Sequence, residues 1–393
     1  MAGEGFEKLN GNLVCEKDQC TACGACVNIC PKKCIEIRSN QYKEGIAFWD
    51  SDKCIKCGLC KKVCPNYNSL LLRIPISTYA GWQKKTVELV KCSSGGIATA
   101  IANYIVDKQG IVYGVASQKI YCKYVRATTR KDIEKLKGSK YVFARGDKQY
   151  SNIENDVLNG KNVLVVGTPC YIAGVRSYFI NKKIEISKLF LVDFLCHGTV
   201  PMEYLEERLR DLERKYKFDE VCFRSNLIDE NYYLTLKKQS KTVYRQKAEI
   251  DYYFLGFLKS ISTKQCCAEC RYRRKERSGD ITLGDFIGLG KEIPFRITSP
   301  VMSPSLVLVN TEKGKNLLAE INNDICITER MLEEAVKGGP SLRKDNMQSH
   351  ERENFRKYIC TKTFKKAIYR SMGAELLKNR VKYTIKKIAS KKR

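Results

Sequence analysis

Two runs of four cysteines near the N-terminus constrain this chain most strongly. The first reads Cys20-x-x-Cys23-x-x-Cys26-x-x-x-Cys30-Pro31, and the spacing repeats as Cys54-x-x-Cys57-x-x-Cys60-x-x-x-Cys64-Pro65. This is the bacterial pattern for two [4Fe–4S] clusters, in which the fourth cysteine of each run ligates the other cluster. It predicts one cluster on Cys20, Cys23, Cys26 and Cys64. It predicts the other on Cys30, Cys54, Cys57 and Cys60.

A zinc site is the alternative for these cysteines. Tetrahedral zinc takes four cysteines, usually as two separated pairs, and two full runs closed by proline fit that pattern poorly. Gly24 and Gly58 follow the second cysteine of each run and let the backbone wrap closely. Cys15 and Cys34 remain outside the pattern and are predicted to be packing thiols. The alternating apolar residues of 35–49 predict a hairpin that turns near residues 40–45.

The remaining composition narrows the class and location of the protein. Ten of the 20 cysteines in the 393 residues lie between Cys15 and Cys64. Clustered cysteines in a reducing cytosol indicate metal or redox groups rather than disulfides. The sequence shows no signal peptide and no apolar run of the roughly 18 residues that a membrane span needs. We therefore expect a cytoplasmic protein, with peripheral contact at the inner face of the membrane as an alternative.

The formal net charge of +28 indicates an anionic partner. An acidic redox partner protein, an anionic membrane and nucleic acid would each satisfy it. No nucleic-acid-binding motif is present, and charge alone is a weak signal, so specific nucleic-acid binding is not predicted.

The larger body reads as an α/β unit. A Ser/Gly turn at residues 93–96 precedes a helical apolar stripe over 97–106, and it can be read as a phosphate-binding turn or as an ordinary helix cap. Residues 163–167 and 188–194 read as buried parallel strands that run into Cys170 and Cys196. Ligands of open α/β sheets bind beyond the carboxyl ends of the strands, where both cysteines are expected.

A third group of cysteines lies at residues 266–270. Taken alone, Cys267-x-x-Cys270 could be a redox dithiol, half of a zinc site or two surface thiols. Together with Cys170 and Cys196 it provides four ligands.

The ordered motifs of the body resemble the coenzyme F-420 hydrogenase/dehydrogenase beta-subunit family over about residues 79–350. The motifs that carry this resemblance are Ser-Ser-Gly-Gly at 93–96, Lys-Gly-Ser-Lys-Tyr at 137–141, Gly-Thr-Pro-Cys at 167–170, Cys-His-Gly at 196–198, and Cys267-x-x-Cys270 with Asp280-Ile-Thr-Leu-Gly-Asp285.

The resemblance implies a flavin, FAD or FMN, beside a third [4Fe–4S] cluster, and an organic hydride acceptor or donor. A flavin exchanges hydride on one side and single electrons with clusters on the other. The implied flavin-site residues are Ser93, Ser94, Gly95, Gly96, Lys140 and Thr168. The implied ligands of the third cluster are Cys170, Cys196, Cys267 and Cys270, with Cys266 as an alternative to Cys267. His197 is expected to move a proton or, alternatively, to hold its loop by a hydrogen bond.

These observations predict an α+β ferredoxin-like two-cluster module fused to an α/β flavin-binding body. The predicted divisions are a ferredoxin domain at 1–72, body domains at 73–190 and 191–350, and a basic tail at 351–393. The predicted function is that of an iron–sulfur flavoprotein oxidoreductase. The alternative is a non-catalytic electron-transfer subunit of a partner enzyme, and related fused bacterial proteins suggest polysaccharide biosynthesis as its setting.

The C-terminal tail is strongly basic. From Thr361 onward it holds a single acidic residue, Glu375, and its apolar residues recur at helical spacing. Such a helix binds an anionic membrane or an acidic partner, or it packs on its own domain.

Overall fold

The computed structural model describes residues 13–68, 71–89, 91–224, 232–296, 303–344 and 347–391. Residues 1–12 and 69–70 of the predicted ferredoxin domain lie outside these ranges, as do residues 392–393 of the predicted tail.

Strands and helices alternate through most of the described chain. The strands are β1 Ile35–Ser39, β2 Gly45–Trp49, β3 Ser77–Gln83, β4 Ile111–Gln118, β5 Tyr121–Ala127, β6 Val163–Gly167, β7 Leu189–Phe194, β8 Glu220–Cys222, β9 Tyr233–Lys238, β10 Lys241–Lys247, β11 Ile281–Asp285, β12 Ser305–Val309 and β13 Ile325–Glu329. The helices are α1 Ala25–Ile29, α2 Leu59–Val63, α3 Thr86–Leu89, α4 Ile97–Asp107, α5 Arg130–Leu136, α6 Tyr150–Leu158, α7 Pro169–Lys182, α8 Met202–Glu213, α9 Tyr252–Leu258, α10 Gln265–Ala268, α11 Glu312–Glu320, α12 Leu332–Gly338, α13 His350–Ile359 and α14 Phe364–Lys391. Short 3-10 turns lie at Asp147–Gln149, Ala248–Ile250 and Pro340–Leu342.

The N-terminal module is built from two cysteine loops and one hairpin. Strands β1 and β2 pair antiparallel with Ile35 opposite Trp49 and Ser39 opposite Gly45, which confirms the predicted hairpin. Helices α1 and α2 each begin after a left-handed glycine, Gly24 with φ 90° and Gly58 with φ 75°. The two loops therefore repeat one backbone geometry, as the repeated spacing predicts.

A mixed eight-stranded sheet forms the body, in the order β13-β3-β12-β11-β7-β6-β4-β5. Its centre is parallel, because β4 pairs with β6, β6 with β7, and β7 with β11 in that sense. Strands β5, β12, β3 and β13 extend it antiparallel at its two sides. The continuous apolar run Val163–Gly167 fits a strand covered on both faces.

Both predicted body ranges contribute to this one sheet. The predicted boundary between residues 190 and 191 falls inside β7, and the strands of the later range, β11 to β13, join those of the earlier range. A smaller three-stranded sheet, β10-β9-β8, lies apart from it in the pairing pattern.

The ferredoxin-type module packs on helix α7 of the body. One buried apolar cluster contains residues of the cysteine loops together with Ile172, Val175 and Phe179 of α7. The Ser177 hydroxyl donates to the Val63 carbonyl at 2.7 Å. The shared core fixes the module against the carboxyl edge of the main sheet, where α7 begins.

The C-terminal helix α14 has a kink at Met372 and buries apolar side chains only along its first half. Phe364, Ile368, Met372 and Leu376 are buried, whereas Leu377 and the apolar residues after it are exposed. No helix in the described ranges is long and apolar enough to cross a membrane.

Candidate metal centres

The first predicted set of cysteines meets at one cavity. Its members, called here the inner set, are Cys20, Cys23, Cys26 and Cys64, and they line a space of about 310 Å³. Three of the four are buried, and Cys23 is half-buried. The fourth cysteine of the second run therefore lies with the first three of the first run, in the crossed arrangement that the spacing predicts.

Burial and crowding oppose negative charge on the inner set. Burial raises the pKa of the Cys23 thiol to about 12, and the neighbouring sulfurs of Cys64 and Cys20 act in the same direction. Thiolates become the stable form when a metal offsets their charge. The donor set and the crowding therefore fit an iron–sulfur cluster, which takes four thiolates.

The second predicted set lies nearer the surface. The Cys60 thiol is within electrostatic reach of the other three members, and these four cysteines, called here the outer set, are Cys30, Cys54, Cys57 and Cys60. Cys57 is exposed, whereas the other three are half-buried. The outer set is therefore the side of the module that a partner can approach.

Backbone amides support sulfurs in all three groups of cysteines. The amides of Ala47, Lys56 and Gly198 lie 3.4 Å from the sulfurs of Cys20, Cys54 and Cys196 respectively. Donors of this kind stabilise thiolate charge around a metal.

Cys15 and Cys34, the two cysteines outside the repeated spacing, lie near cysteines of the inner and outer sets. The neighbouring sulfurs of Cys20 and Cys64 raise the pKa of the Cys15 thiol. The sulfurs of Cys34 and Cys30 are 3.4 Å apart. Each set of the module therefore has a fifth thiol at its side, a relation that the sequence prediction of packing thiols missed.

A third set lies at the carboxyl edge of the main sheet. A space of about 500 Å³ is lined by Cys170, Cys196, Cys267 and Cys270, called here the sheet-edge set. Cys170 is in the first turn of α7 after β6, and Cys196 follows β7. Since β6 and β7 are parallel neighbours, their carboxyl ends bring these two thiols together.

Cys266 also lines the sheet-edge cavity, as the sequence allows. A hydrogen bond from Cys266 and the nearby charge of Lys264 lower the pKa of Cys267. Burial raises the pKa of Cys196 and Cys170. Cys266 and Cys267 therefore both lie at this cavity beside the same cation, and the choice of ligand between them that the sequence leaves open stays open.

An unpartnered buried hydroxyl also faces this site. Tyr272 is 4% exposed, and its hydroxyl has no hydrogen-bond partner among the described residues. A buried hydroxyl normally finds an acceptor, and cluster or thiolate sulfur would supply one here.

Among the described residues, no group of His, Cys, Asp and Glu side chains could hold a single metal ion.

The predicted flavin residues fall into two places. The Ser139 amide donates to the Ser93 hydroxyl at 2.7 Å, which joins the 93–96 turn to the 137–141 turn. The Ser94 hydroxyl donates to the Ser303 carbonyl at 3.2 Å. Thr168 instead lines the sheet-edge cavity, with its hydroxyl 3.3 Å from the Cys170 sulfur.

The glycines of the 93–96 turn have packing roles. A Cβ on Gly95 would lie 2.2 Å from the Gly81 carbonyl oxygen, so this position lets the turn press against β3. Gly96 has φ 77° and precedes α4, and the Gln83 amide donates to its carbonyl at 2.6 Å. The predicted turn-to-helix junction is confirmed.

The Lys140 ammonium is hydrogen-bonded to the C-terminal end of a helix. Its ammonium donates to the carbonyls of Leu136 and Lys137 at 2.6 and 2.8 Å, at the C-terminus of α5. Burial lowers its pKa to about 8. This geometry supports a structural role beside the one that the family resemblance implies.

His197 is held in its loop. Its Nδ1 lies 3.1 Å from the Ser341 hydroxyl, which also donates to the Cys196 carbonyl. The side chain keeps solvent-exposed surface, while desolvation by the surrounding protein lowers its pKa. The loop hydrogen bond expected as one alternative is present.

Sequence reasoning missed the side chains other than cysteine around the sheet-edge set. Lys264, Tyr272, Arg273 and Phe143 line its cavity together with the sulfurs. The available signal was proximity along the chain: Lys264 stands two residues before Cys266, and Tyr272 and Arg273 stand two and three residues after Cys270.

Family models match three segments of the chain. Residues 78–148 match the model for the N-terminal part of the coenzyme F420 hydrogenase/dehydrogenase beta subunit, and residues 160–335 match the model for the C terminus of the same protein. Residues 19–68 match the model of a 4Fe-4S dicluster domain. The two hydrogenase/dehydrogenase models together match more than half of the chain.

One similar solved structure is a chain of the F420-reducing [NiFe] hydrogenase complex from Methanosarcina barkeri, determined with xenon derivatization. It aligns at TM-score 0.43 and 18% identity over 72% of this chain and 94% of that chain. No curated protein matches the sequence.

Proposed function

The chain belongs to the coenzyme F420 hydrogenase/dehydrogenase beta-subunit family and carries an N-terminal two-cluster iron–sulfur module, and we propose that it is an iron–sulfur flavoprotein oxidoreductase. Electrons would pass between a redox partner protein and an organic hydride acceptor or donor. The route would run through the outer set, the inner set and the sheet-edge set to a bound FAD or FMN.

The observation that carries this proposal is the placement of the three sets of cysteines. Helix α7 holds Cys170 of the sheet-edge set, and one turn later Gly174 lies against Cys23 of the inner set. The exposed outer set lies in the same small module. A line of sites from surface to sheet edge suits an electron-transfer path rather than three unrelated structural metals.

The twelve cysteines of the three sets would hold three clusters, and each cluster supplies one-electron transfer when bound. The chain's own part is to position and shield them. Buried sulfurs with backbone donors keep water from the inner set, and the left-handed glycines let the loops close around it. Cys266 would act as a donor to Cys267 rather than as a ligand.

The flavin would lie near the 93–96 and 137–141 turns, and it supplies the exchange of hydride for single electrons when bound. The hydrogen bond between Ser93 and Ser139 supports this placement, because it joins both family motifs. Gly138 adds open space there, with φ 79° and nothing within 4 Å of a Cβ placed on it. His197 would move a proton at its Nε2 while Ser341 holds Nδ1.

Two surfaces suit the proposed partners. The loop of the outer set exposes Lys53, Lys56, Lys61 and Lys62 around Ile55, which is 57% exposed. An acidic redox partner would dock on this basic loop, where electrostatic attraction speeds association. The exposed second half of α14 would contact an anionic membrane, in a cytoplasmic protein held peripherally.

Iron, acid-labile sulfide and flavin per chain test the proposal on anaerobically purified protein. Three clusters' worth of iron with one flavin is the expected result. Cys267→Ser should lose one cluster's worth, whereas the matched control Cys266→Ser should keep all three. Two clusters' worth with no flavin would contradict the proposal and favour a non-catalytic electron-transfer subunit.

A further inference from the structure

One buried cation connects the inner set to the sheet-edge set. Lys264 is 2% exposed, and its ammonium donates to the Thr21 carbonyl at 3.1 Å. Thr21 directly follows Cys20 of the inner set, and Lys264 itself lines the sheet-edge cavity. Lys264 therefore contacts the backbone of the inner-set loop and also lines the cavity of the sheet-edge set.

Protein carboxylates do not neutralise this cation. Among the described residues, none forms an ion pair with Lys264. The nearby carboxylate of Glu44 is already engaged, with Arg356 at 2.7 Å and the Gln265 amide at 3.0 Å. The Phe143 ring lies 3.9 Å from the ammonium and gives a favourable cation–π contact without removing its charge.

A buried ammonium without a counter-charge is costly. The groups on either side of Lys264 are two sets of cysteine sulfurs, which are anionic when they ligate metal. The positive charge of Lys264 is therefore offset when both sets carry clusters, because both anionic clusters then face this one ammonium group.

A second polar group lies near both sets. The unpartnered hydroxyl of Tyr272 is within electrostatic reach of cysteines of both sets: Cys23 and Cys64 of the inner set, and Cys170 and Cys270 of the sheet-edge set. Tyr272 also lines the sheet-edge cavity, so its hydroxyl is a donor available to a cluster bound there. Donors to cluster sulfurs and nearby positive charge both stabilise the reduced state, which is the more negative one.

We propose that Lys264 and Tyr272 are positioning residues that raise the reduction potentials of the inner and sheet-edge clusters together and so keep electron transfer between these two clusters reversible. This rests on the proposed function, since it requires a third cluster. No cysteine of the outer set lines the cavity that Lys264 and Tyr272 line, so we expect the potential of the outer cluster to be set separately from those of the inner and sheet-edge clusters, called here the junction clusters.

Anaerobic redox titration followed by electron paramagnetic resonance tests this inference, using Lys264→Met, Tyr272→Phe and the wild-type full chain. In Lys264→Met, the ratio of reduced to oxidised cluster at a fixed potential should fall about tenfold at both junction clusters, which is about 59 mV for a one-electron couple. Tyr272→Phe should shift both in the same direction by less. The outer cluster should not move in either variant.

Lys62→Met is the matched control, because Lys62 is exposed beside the outer set. Unchanged potentials at both junction clusters in Lys264→Met with full iron would overturn the inference. If Lys264→Met loses iron, the test uses Lys264→Arg, which keeps the charge, and Tyr272→Phe, which keeps the ring. Unshifted potentials of the two junction clusters in Tyr272→Phe would then overturn the inference.

Failure of the proposed function has a different signature. Two clusters' worth of iron in the wild-type protein would contradict the proposal of a third cluster. A shift confined to the inner cluster would show that Lys264 affects the potential of that cluster alone. This would overturn the inference that it raises both potentials together.

Discussion

Gly174 of helix α7 lies directly against the thiol of Cys23: a Cβ at residue 174 would lie 2.8 Å from the Cys23 sulfur. The same Cβ would lie 2.9 Å from the Tyr150 hydroxyl, which itself donates to the Cys23 carbonyl at 2.9 Å. No larger residue fits unless the cysteine loop moves away from the body.

Gly174→Ala should therefore reduce iron occupancy of the inner set and lower the melting temperature. Gly373→Ala is the control, because the nearest neighbour of its new Cβ, the Tyr369 ring, lies 3.9 Å away. That variant should leave the iron content unchanged, because nothing is displaced by the added methyl group. Iron analysis and thermal unfolding measure both effects, and equal behaviour of the two variants would contradict the close packing.

A buried ion pair joins strand β7 to the segment that follows the Cys267-x-x-Cys270 motif. Arg277 and Asp193 are 1% and 0% exposed in their side chains and meet at 3.0 Å. Arg277→Met should cost about 3–5 kcal/mol of unfolding free energy, since it leaves the Asp193 carboxylate buried without its cation. Arg130→Met removes the exposed pair with Asp107 and should cost less than about 1 kcal/mol. Denaturant unfolding of both variants checks the difference, and a small loss in Arg277→Met would contradict the prediction.

The fifth thiol beside the outer set should act as a replacement ligand. The sulfurs of Cys34 and Cys30 are only 3.4 Å apart, so a small shift of the loop brings Cys34 to the position of Cys30. Cys30→Ser should therefore keep more iron than the double variant Cys30→Ser/Cys34→Ala. Cys34→Ala alone should keep full iron and serves as the control. Equal iron loss in the single Cys30 variant and the double variant would show that Cys34 does not substitute.

Lys140 should make stability depend on alkaline pH. Burial lowers its pKa in the folded protein to about 8, below its ordinary value of 10.5. The unfolded chain therefore binds more protons between these values, and stability rises as pH increases from about 8 to 10.5. In Lys140→Met this rise should be absent. Melting temperatures of both proteins across that range provide the test, and parallel curves would argue against a buried, neutralised lysine.

The exposed half of α14 should bind anionic vesicles. Leu377, Val381, Ile385 and Ile388 are 51–63% exposed and lie among basic residues. Changing Leu377 and Ile385 to serine should reduce flotation with vesicles that contain phosphatidylglycerol. Neutral phosphatidylcholine vesicles are the control and should bind neither protein. Equal flotation of wild-type and doubly substituted protein on anionic vesicles would remove the membrane contact.

Local patterns in the sequence predict much of this structure. The repeated cysteine spacing predicts both loops and the crossed pairing of the inner set, and the alternation within 35–49 predicts the hairpin. The strands that end before Cys170 and Cys196 are where the apolar runs place them. These features depend on residues that are close in the chain or on a rule about strand ends.

Contacts between distant segments were beyond sequence reasoning. Lys264 and Thr21 are 243 residues apart, and no periodicity connects them. The predicted boundary at residue 190 fell within a strand, because pattern alone does not show that β11 pairs with β7. Cys15 and Cys34 could be counted but not placed, since their proximity to other sulfurs depends on how the loops close.

The location of α7 also has a consequence for how the protein is made. The inner set is complete once residue 64 has left the ribosome, whereas the sheet-edge set waits for Cys270, more than two hundred residues later. Metal can therefore enter the N-terminal loops before α7 exists to cover them. The order of synthesis therefore leaves the cysteines of the N-terminal module uncovered by the body until α7 has been made.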